Sequence, residues 1–157
     1  MTHQQVSAEA PRWPWYQPWV ALATFSAVLN FLWEMVVMPA YGTRSTSAAG
    51  IGIGMCVLAT LGDVGITLGS YAVAAWIATQ RWLMRPTVAP FLTYLAAGLV
   101  MTIAFEYANV YMLHRWSYAP RMLVVAGIGV LPLLQWIVFP PIVLWLARRH
   151  FASALKV

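Results

Sequence analysis

Three carboxylic acids lie inside apolar segments long enough to cross a membrane: Glu34, Asp63 and Glu106. The chain has only four acidic residues in all, so most of its acids lie where a charge is costly. A carboxylate in a bilayer costs at least about 2.5 kcal/mol on insertion scales, which makes an intramembrane acid a functional candidate. Each of the three belongs to a different apolar segment, and together they indicate one shared polar site in a helical bundle.

The composition is typical of an integral membrane protein. Of the 157 residues, 62% are hydrophobic and 8% are charged, whereas soluble domains carry about 25% charged residues. The length predicts one compact bundle without a separate soluble domain. The net charge is +5, but the basic residues lie in connections and tails, where they set topology and meet lipid headgroups. Nucleic acid is therefore not an expected partner.

Four apolar segments predict an all-α fold, a polytopic membrane protein with a four-helix transmembrane bundle. A hydrocarbon core about 30 Å thick needs about 20 apolar residues in a helix, and the segments lack the period-two alternation of strands. The predicted transmembrane domain covers residues 19–150, between a Trp/Pro-rich interfacial segment at 1–18, which lacks a signal-peptide cleavage site, and a short basic tail at 151–157. The predicted spans are 19–38, 53–79, 91–113 and 122–147.

The basic residues are distributed unevenly between the two ends of the predicted bundle. Six lie on the side of the termini and of the connection between the second and third spans, and three lie on the other side. The positive-inside rule therefore places both termini in the cytoplasm. In a bacterium, the protein would be a multi-pass protein of the inner (plasma) membrane, and the other end of the bundle would face the periplasm.

The three acids are predicted to share one level of the membrane. A helix rises about 1.5 Å per residue, which places Glu34 and Glu106 roughly 22 Å, and Asp63 roughly 24 Å, from the cytoplasmic boundary. This level lies in the outer half of the bilayer. Polar and aromatic residues near it are the candidate residues for binding a ligand: Asn30, Trp33, Tyr107, Asn109, Tyr111, Trp116, Tyr118 and Gln135.

No lysine or arginine lies within the predicted spans to neutralise these acids. Three explanations are open: the carboxyls are protonated, because burial favours the uncharged form of an acid; they hold a cation; or His114, Arg115 or Arg121 folds in from the outer connection. Residues 114–121 would then form a short cap above the acids. A purely structural role is also open, in which protonated carboxyls hydrogen-bond across helices and stabilise the bundle.

Small residues and prolines predict how the helices pack. The pair Gly65 and Gly69 on the second span would let another backbone come close. Pro132 and the pair at 140–141 are predicted to bend the fourth span, because a proline removes a backbone donor and clashes with the preceding turn. Cys56, the single cysteine, is interpreted as a small apolar core residue.

Five short motifs combine polar and aromatic residues along most of the chain. They are Asn30-Phe31-Leu32-Trp33-Glu34, Gly62-Asp63, Phe105-Glu106-Tyr107, Trp116-Ser117-Tyr118 and Pro132-Leu133-Leu134-Gln135-Trp136. Together they resemble a set of small, mostly uncharacterised bacterial four-span membrane proteins. The resemblance implies that the motifs belong together, and it brings no known activity. A looser similarity, in kind and not in motif, is to small integral-membrane isoprenoid cyclases, which set Glu and Asp among aromatic residues in a helical bundle.

The predicted site suits acid/base chemistry on a lipid or isoprenoid ligand, as in a cyclase or isomerase. A protonated carboxyl in an apolar pocket can protonate an alkene or epoxide, and a second carboxylate can remove a proton. Glu34 and Glu106 are the candidate acid/base pair, and Asp63 is the group that tunes them. No cofactor is expected. Aromatic residues predicted to line the pocket and stabilise a cation between the two steps are Trp33, Tyr107 and Tyr111.

Two other functions are open. In one, the protein is an accessory or structural subunit of a larger membrane complex, or a homo-oligomer, and the acids are structural. The other is a metal or cation site built from hard oxygen donors and one imidazole. Its ligands would be Glu34, Asp63, Glu106 and His114. The sequence lacks HxxxH, ExxH, CxxC and GxSxG motifs, and the glycines at 50–54 lack the Lys-Ser/Thr of a nucleotide-binding P-loop.

Overall fold

Four long helices make up most of the chain in the computed structural model, which describes residues 17–42, 49–78, 80–84 and 87–154. The helices are α1 (Gln17–Val37), α2 (Ala49–Ala78), α3 (Val88–Tyr107) and α4 (Val130–Ala154). Each is long and apolar enough to cross a membrane, so the predicted all-α class and the number of long helices are confirmed. Residues 1–16 of the predicted interfacial segment lie outside the described residues, and its last two belong to α1. Residues 155–157 of the predicted tail also lie outside them, and residues 151–154 continue α4.

The four helices form a closed ring in which each has two neighbours. α1 packs against α2 and α4, and α3 packs against the same two helices. Their inward faces bury a core in which Leu22, Tyr71, Tyr94 and Ala147 are completely inaccessible. Their outward faces carry large apolar side chains, and Trp76 is 89% exposed. An apolar exterior of this extent suits a lipid environment better than water.

Two connections meet at one end of the bundle, called here the cap end. A 3₁₀ turn at Met38–Ala40 leads from α1 into β1 at Tyr41–Gly42. This strand pairs antiparallel with β2 at Ser117–Tyr118, with Tyr41 opposite Tyr118. The pairing joins two connections that are far apart in the chain. The opposite end, where α1 begins and α4 ends, is called the termini end.

α4 begins later than the sequence predicts. The start of the predicted span 122–147 is a β-hairpin formed by β3 (Val124–Val125) and β4 (Ile128–Gly129). At its turn Ala126 and Gly127 have φ angles of 50° and 83°, both in the left-handed region that a type I′ turn requires. The prediction was wrong here because the stretch is continuously apolar, and an apolar run alone does not distinguish a hairpin from a helix.

The first proline of α4 acts differently from the prediction. Pro132 lies in the first turn of the helix, where a backbone N–H would have no partner within the helix. It is therefore placed to start α4 and not to bend it. The helix continues through Pro140 and Pro141, which lack backbone N–H donors in its central part. The bend predicted at this pair stays a prediction.

The close approaches between helices occur at glycines other than those predicted. Of the predicted pair, a Cβ on Gly65 would have nothing within 4 Å, whereas a Cβ on Gly69 would be in ordinary contact with the side chain of Met101 on α3, 3.4 Å from its sulfur. A Cβ on Gly62 would overlap the ring of Phe105, and a Cβ on Gly98 would overlap the ring of Trp136. In both places an aromatic ring from the neighbouring helix lies directly against the glycine backbone.

We expect Gly98→Ala to destabilise the protein by about 1–3 kcal/mol, because the ring of Trp136 must shift to make room. That shift would also strain the hydrogen bond from Trp136 Nε1 to Leu95 O, which is 2.8 Å long. Gly65→Ala is the matched control and should be neutral or stabilising by up to about 1 kcal/mol, since alanine favours a helix. Thermal unfolding in mild detergent, followed by circular dichroism, measures both. Equal stability of the two variants would contradict the packing described here.

Candidate functional site

The three acids line one cavity near the cap end of the bundle. It encloses about 680 Å³, part of which is open to the surroundings. Each helix contributes one acid or amide to the wall: Glu34 from α1, Asp63 from α2, Glu106 from α3 and Gln135 from α4. The residues that the sequence places at one level are thus brought around one space.

Aromatic and apolar side chains form most of the remaining wall. The rings of Phe105 and Trp116 lie 6.1 Å apart between centroids, and Tyr41 meets Trp116 edge-on at 6.4 Å. The other wall residues are Met38, Gly52, Met55, Cys56, Ala59, Ile66, Thr102 and Pro132. In the described part of the chain, no lysine, arginine or histidine lines the cavity. The site is therefore acidic, aromatic and otherwise apolar.

A chain of hydrogen bonds across the bundle positions Asp63. Gln135 Nε2 donates to Asp63 Oδ2 at 2.8 Å and to Asn30 Oδ1 at 2.9 Å. Asn30 Nδ2 in turn donates to the backbone and hydroxyl oxygens of Ser26, both at 2.8 Å. The Ser26 hydroxyl lies 2.9 Å from that of Thr67. Because this chain joins α1, α2 and α4, it holds both the carboxyl and the three helices in register.

In the described part of the chain, Asp63 and Glu106 each accept a hydrogen bond of good geometry from a side chain, and Glu34 does not. Among the described residues, the amide of Gln135 is the one polar side chain that interacts favourably with its carboxyl. Glu106 is close enough that the two carboxyls repel each other when both are charged. The oxygens of Glu34 thus remain available to a ligand in the cavity.

Glu106 is held from the cap. Tyr118 OH donates to Glu106 Oε2 at 2.8 Å, and the pairing of β1 with β2 positions this tyrosine. The indole of Trp116 lies near the same carboxyl. The indole N–H is buried, and it forms no hydrogen bond of acceptable geometry with a described residue. It is therefore a donor that a ligand could use. The predicted cap therefore contacts the acids through Trp116 and Tyr118.

The basic residues of the cap do not neutralise the carboxyls. Arg115 turns inward, but its Nη1 donates to the side-chain oxygen of Asn109 at 3.2 Å. Asn109 is 1% exposed, and its amide also donates to Phe105 O at 2.7 Å. Among the described contacts, Arg115 thus binds the side-chain amide of Asn109 and not an acid. Asn109 supports the cap from behind and does not line the cavity.

Of the four residues considered as metal ligands, His114 does not join the three acids at the cavity. Among the described residues, no group of three or more His, Cys, Asp or Glu side chains could hold a metal ion. His114 is exposed, and its Nδ1 lies 3.2 Å from Val110 O. The geometry therefore does not favour a metal site that combines this imidazole with the three carboxyls.

Three aromatic residues predicted to line the pocket lie elsewhere. Tyr107 and Tyr111 are 55% and 44% exposed, with ring centroids 5.2 Å apart. Trp33 packs against Phe139 at 5.4 Å, outside the cavity wall. The prediction relied on depth, and depth does not determine the face of a helix. Successive helical residues are about 100° apart around the helix axis, so neighbours in sequence can face different directions. Glu106 faces the cavity, and Tyr107 faces the outside of the bundle.

A π-helical turn at Ala108–Met112 follows directly after Glu106 and its neighbour. Such turns are rare and are frequent at functional sites. This one keeps Asn109 buried and turns Tyr111 outward, where its hydroxyl donates to Gly127 O at 2.6 Å. The turn thereby links the end of α3 both to the cap and to the β3–β4 hairpin.

Most of the wall residues were not predicted as part of the site, among them Cys56 and Tyr41. Cys56 was interpreted as a core residue and is 3% exposed, but it also faces the cavity. A signal was present, because Cys56, Ala59, Asp63 and Ile66 recur at helical spacing on one face of α2. Tyr41 had no comparable signal, since an aromatic residue just after an apolar segment is ordinarily an interfacial anchor.

The chain matches no protein-family model, no curated protein and no solved structure at a significant level. The resemblance to small bacterial four-span membrane proteins therefore stays an expectation. The functional interpretation depends on the site itself, in which three carboxyls, an amide and the cap residues Tyr41, Trp116 and Tyr118 surround or border an apolar cavity.

The two cap tyrosines bordering the acids stay neutral over a wide pH range. Burial raises the pKa of Tyr118 above its ordinary value of 10.0, and the nearby Glu106 carboxyl adds to the effect. Burial also raises the pKa of Tyr41, with smaller contributions from the Glu106 and Glu34 carboxyls. Both phenols therefore remain hydrogen-bond donors at physiological pH.

The network around Gln135 should show measurable energetic coupling. In a double-mutant cycle with Asn30→Leu and Gln135→Leu, we expect a coupling energy of about 0.6–1.7 kcal/mol, the range found for hydrogen bonds between transmembrane helices. Leu134→Ala, a change at an exposed neighbour on α4, should show no coupling to Asn30→Leu. Thermal or denaturant unfolding in detergent provides the free energies. Independent effects of the two polar substitutions would contradict the network.

Alkaline pH should destabilise the fold through the cap tyrosines. A raised pKa in the folded state means that the stabilisation is complete below pH 10 and is lost as pH rises above it. For Tyr41 the loss is up to about 1.4 kcal/mol per pH unit, and it is smaller for the half-buried Tyr118 because solvent screens it. Unfolding temperatures measured between about pH 8 and pH 11 should fall less steeply in Tyr41→Phe than in wild type. Tyr107→Phe, a change at an exposed tyrosine, should follow wild type; identical slopes in all three proteins would contradict the burial of Tyr41.

Proposed function

We propose that the protein is a membrane-embedded enzyme that performs acid/base chemistry on a lipid or isoprenoid in the acidic cavity. The observation that carries this proposal is the convergence of Glu34, Asp63 and Glu106 on an apolar, aromatic-lined space of about 680 Å³. An apolar pocket with a few convergent polar groups is the usual form of a small-molecule site, and this lining suits the reactive part of a lipid.

Charge balance supports acid/base chemistry over a role as an anion site. Three carboxylates around one space of low dielectric would repel each other strongly, and no basic side chain lines the described wall. Without a bound cation, at least one of the three is a neutral carboxylic acid. A neutral acid beside a carboxylate is the pair that general acid–base catalysis needs.

The hydrogen bonds distinguish the roles of the three acids. Glu34, with the fewest partners, is the proton donor to a carbon–carbon double bond or an epoxide. Glu106, which accepts a hydrogen bond from Tyr118, is the base that removes a proton from the resulting cation. Asp63 is a positioning residue, because its carboxyl is tied to Gln135. The reaction then moves a proton in and a proton out, and it needs no oxidant or reductant.

The aromatic wall would stabilise the positive charge between the two steps. A cation over an aromatic face is favoured by about 0.5–2 kcal/mol, most strongly when water is excluded. Phe105, Trp116 and Tyr41 take this role in place of the outward-facing tyrosines. Met38, Met55 and Ala59 supply apolar surface for the rest of a hydrocarbon substrate.

The membrane location and orientation form part of the same proposal. The apolar helices and the excess of basic residues at the termini end favour a multi-pass protein of the bacterial inner membrane. Both termini would face the cytoplasm, according to the positive-inside rule. The acidic cavity would then lie in the outer half of the bilayer, where a lipid could reach it from within the membrane.

Untargeted mass spectrometry of lipids tests the proposal. Membranes from cells that express wild type should contain an altered lipid or isoprenoid, and Glu34→Gln and Glu106→Gln should lower its amount at least about 100-fold, the usual contribution of a general acid or base. Tyr118→Phe should lower it about tenfold, because it removes one hydrogen bond to a charged group. Tyr107→Phe serves as the control and should retain the product.

Circular dichroism and thermal unfolding of the same variants show whether the fold is intact. A fully folded Glu106→Gln protein with unchanged product would contradict the proposed catalysis. If no lipid changes, and a protein partner co-purifies equally with wild type and both Glu variants, the protein is an accessory subunit and its acids are structural.

A further inference from the structure

A second groove lies at the termini end of the bundle, opposite the acidic cavity. Trp82 and Leu83 from the short connection between α2 and α3 line a space of about 530 Å³ together with residues of α4. An adjoining space of about 740 Å³ shares Trp145 and Arg148 with the first and adds Arg149. The two spaces form one groove with an apolar floor and two arginines at its edge, called here the arginine groove.

The arginines of this groove lie where a lipid headgroup would lie. Arg148 is 18 residues beyond Val130, the first residue of α4, which corresponds to about 27 Å along the helix. The hydrocarbon core of a bilayer is about 30 Å thick. Trp145, one turn earlier, is half-exposed, as interfacial tryptophans are, and the Arg149 guanidinium lies 5.3 Å from the centre of its ring.

One residue that lines the groove, Trp82, carries a buried donor. Trp82 is 4% exposed, and its indole N–H has no hydrogen-bond partner among the described residues. The ring is held between Tyr71 and Tyr94, at centroid distances of 5.5 and 5.9 Å. A buried N–H without a partner is costly. An oxygen of a ligand in the groove would satisfy it.

We propose that the arginine groove binds the phosphate headgroup of an anionic phospholipid. Guanidinium groups bind phosphate oxygens through paired, charge-assisted hydrogen bonds, and Arg148 and Arg149 supply two such groups. Basic pockets between helices near the membrane surface are known to hold anionic headgroups. The floor formed by Leu83, Phe91 and Leu144 offers apolar surface to the first part of an acyl chain, which favours a lipid over free phosphate.

Native mass spectrometry of delipidated protein in mild detergent tests this proposal. Phosphatidylglycerol and phosphatidylcholine with identical acyl chains are titrated separately, and wild type should bind phosphatidylglycerol more tightly. Arg148→Gln should weaken phosphatidylglycerol binding about fivefold, and the double variant with Arg149→Gln about twenty-five-fold. Arg121→Gln removes an exposed arginine at the cap end and should bind as wild type does.

Trp82→Phe keeps an aromatic ring and removes the N–H donor, so it should also weaken phosphatidylglycerol binding while thermal unfolding confirms the fold. Equal binding of the two lipids by wild type, or the same loss in Arg121→Gln as in Arg148→Gln, would overturn the proposal. Displacement of the lipid by millimolar inorganic phosphate would overturn the assignment to a lipid and indicate a free-phosphate site. Continued binding in its presence supports the lipid.

The inference rests on the proposed membrane location but not on the proposed acid/base chemistry. Glu106→Gln should therefore leave phosphatidylglycerol binding unchanged, even where it abolishes product formation. A loss of lipid binding in that variant would show that the two sites are not separate and would contradict the assignment to the arginine groove. Failure of catalysis and failure of headgroup binding are thus distinguishable.

Discussion

Three carboxyls must be accommodated in the apolar interior of a small bundle whose described cavity wall has no basic side chain, and much of the structure follows from that constraint. The amide of Gln135 pairs one of the buried acids, because it donates to Asp63 and also to Asn30, the start of the hydrogen-bond chain to Ser26 and Thr67. A second donor comes from outside the helices, where Tyr118 reaches Glu106. Polar groups buried in this way cost free energy unless they are paired.

The pairing depends on how closely the helices approach. Trp136 lies against the backbone of Gly98 and donates to Leu95 O, which sets the rotation of α4 against α3. The preceding residue, Gln135, is thereby directed to α1 and α2. Gly62 acts similarly for Phe105, whose ring completes the cavity wall. Two glycines thus control both the packing of the bundle and the shape of the acidic site.

The two ends of the bundle differ in charge and in construction. The cap end has a strand pair, a hairpin and a π-helical turn, and Tyr118 of the strand pair donates to Glu106. The termini end has a short connection and the arginines of α4, which line a groove with aromatic and apolar walls. In the proposed orientation, chemistry on a hydrocarbon and contact with headgroup phosphate would take place at opposite faces of the membrane.

Composition and local spacing are sufficient to predict the four apolar helices, the common level of Glu34, Asp63 and Glu106, and polar residues at that level such as Asn30 and Gln135. Apolar length and a constant helical rise carry that information without knowledge of tertiary contacts. Which aromatic residues face the acids depends on how the helices pack, because depth along a helix does not determine its rotation. The pairing of Tyr41 with Tyr118 and the arginine groove depend on contacts between residues far apart in the chain. The hairpin at 124–129 depends on a left-handed backbone within an apolar run. Distant contacts and a left-handed turn leave no periodic pattern in the sequence.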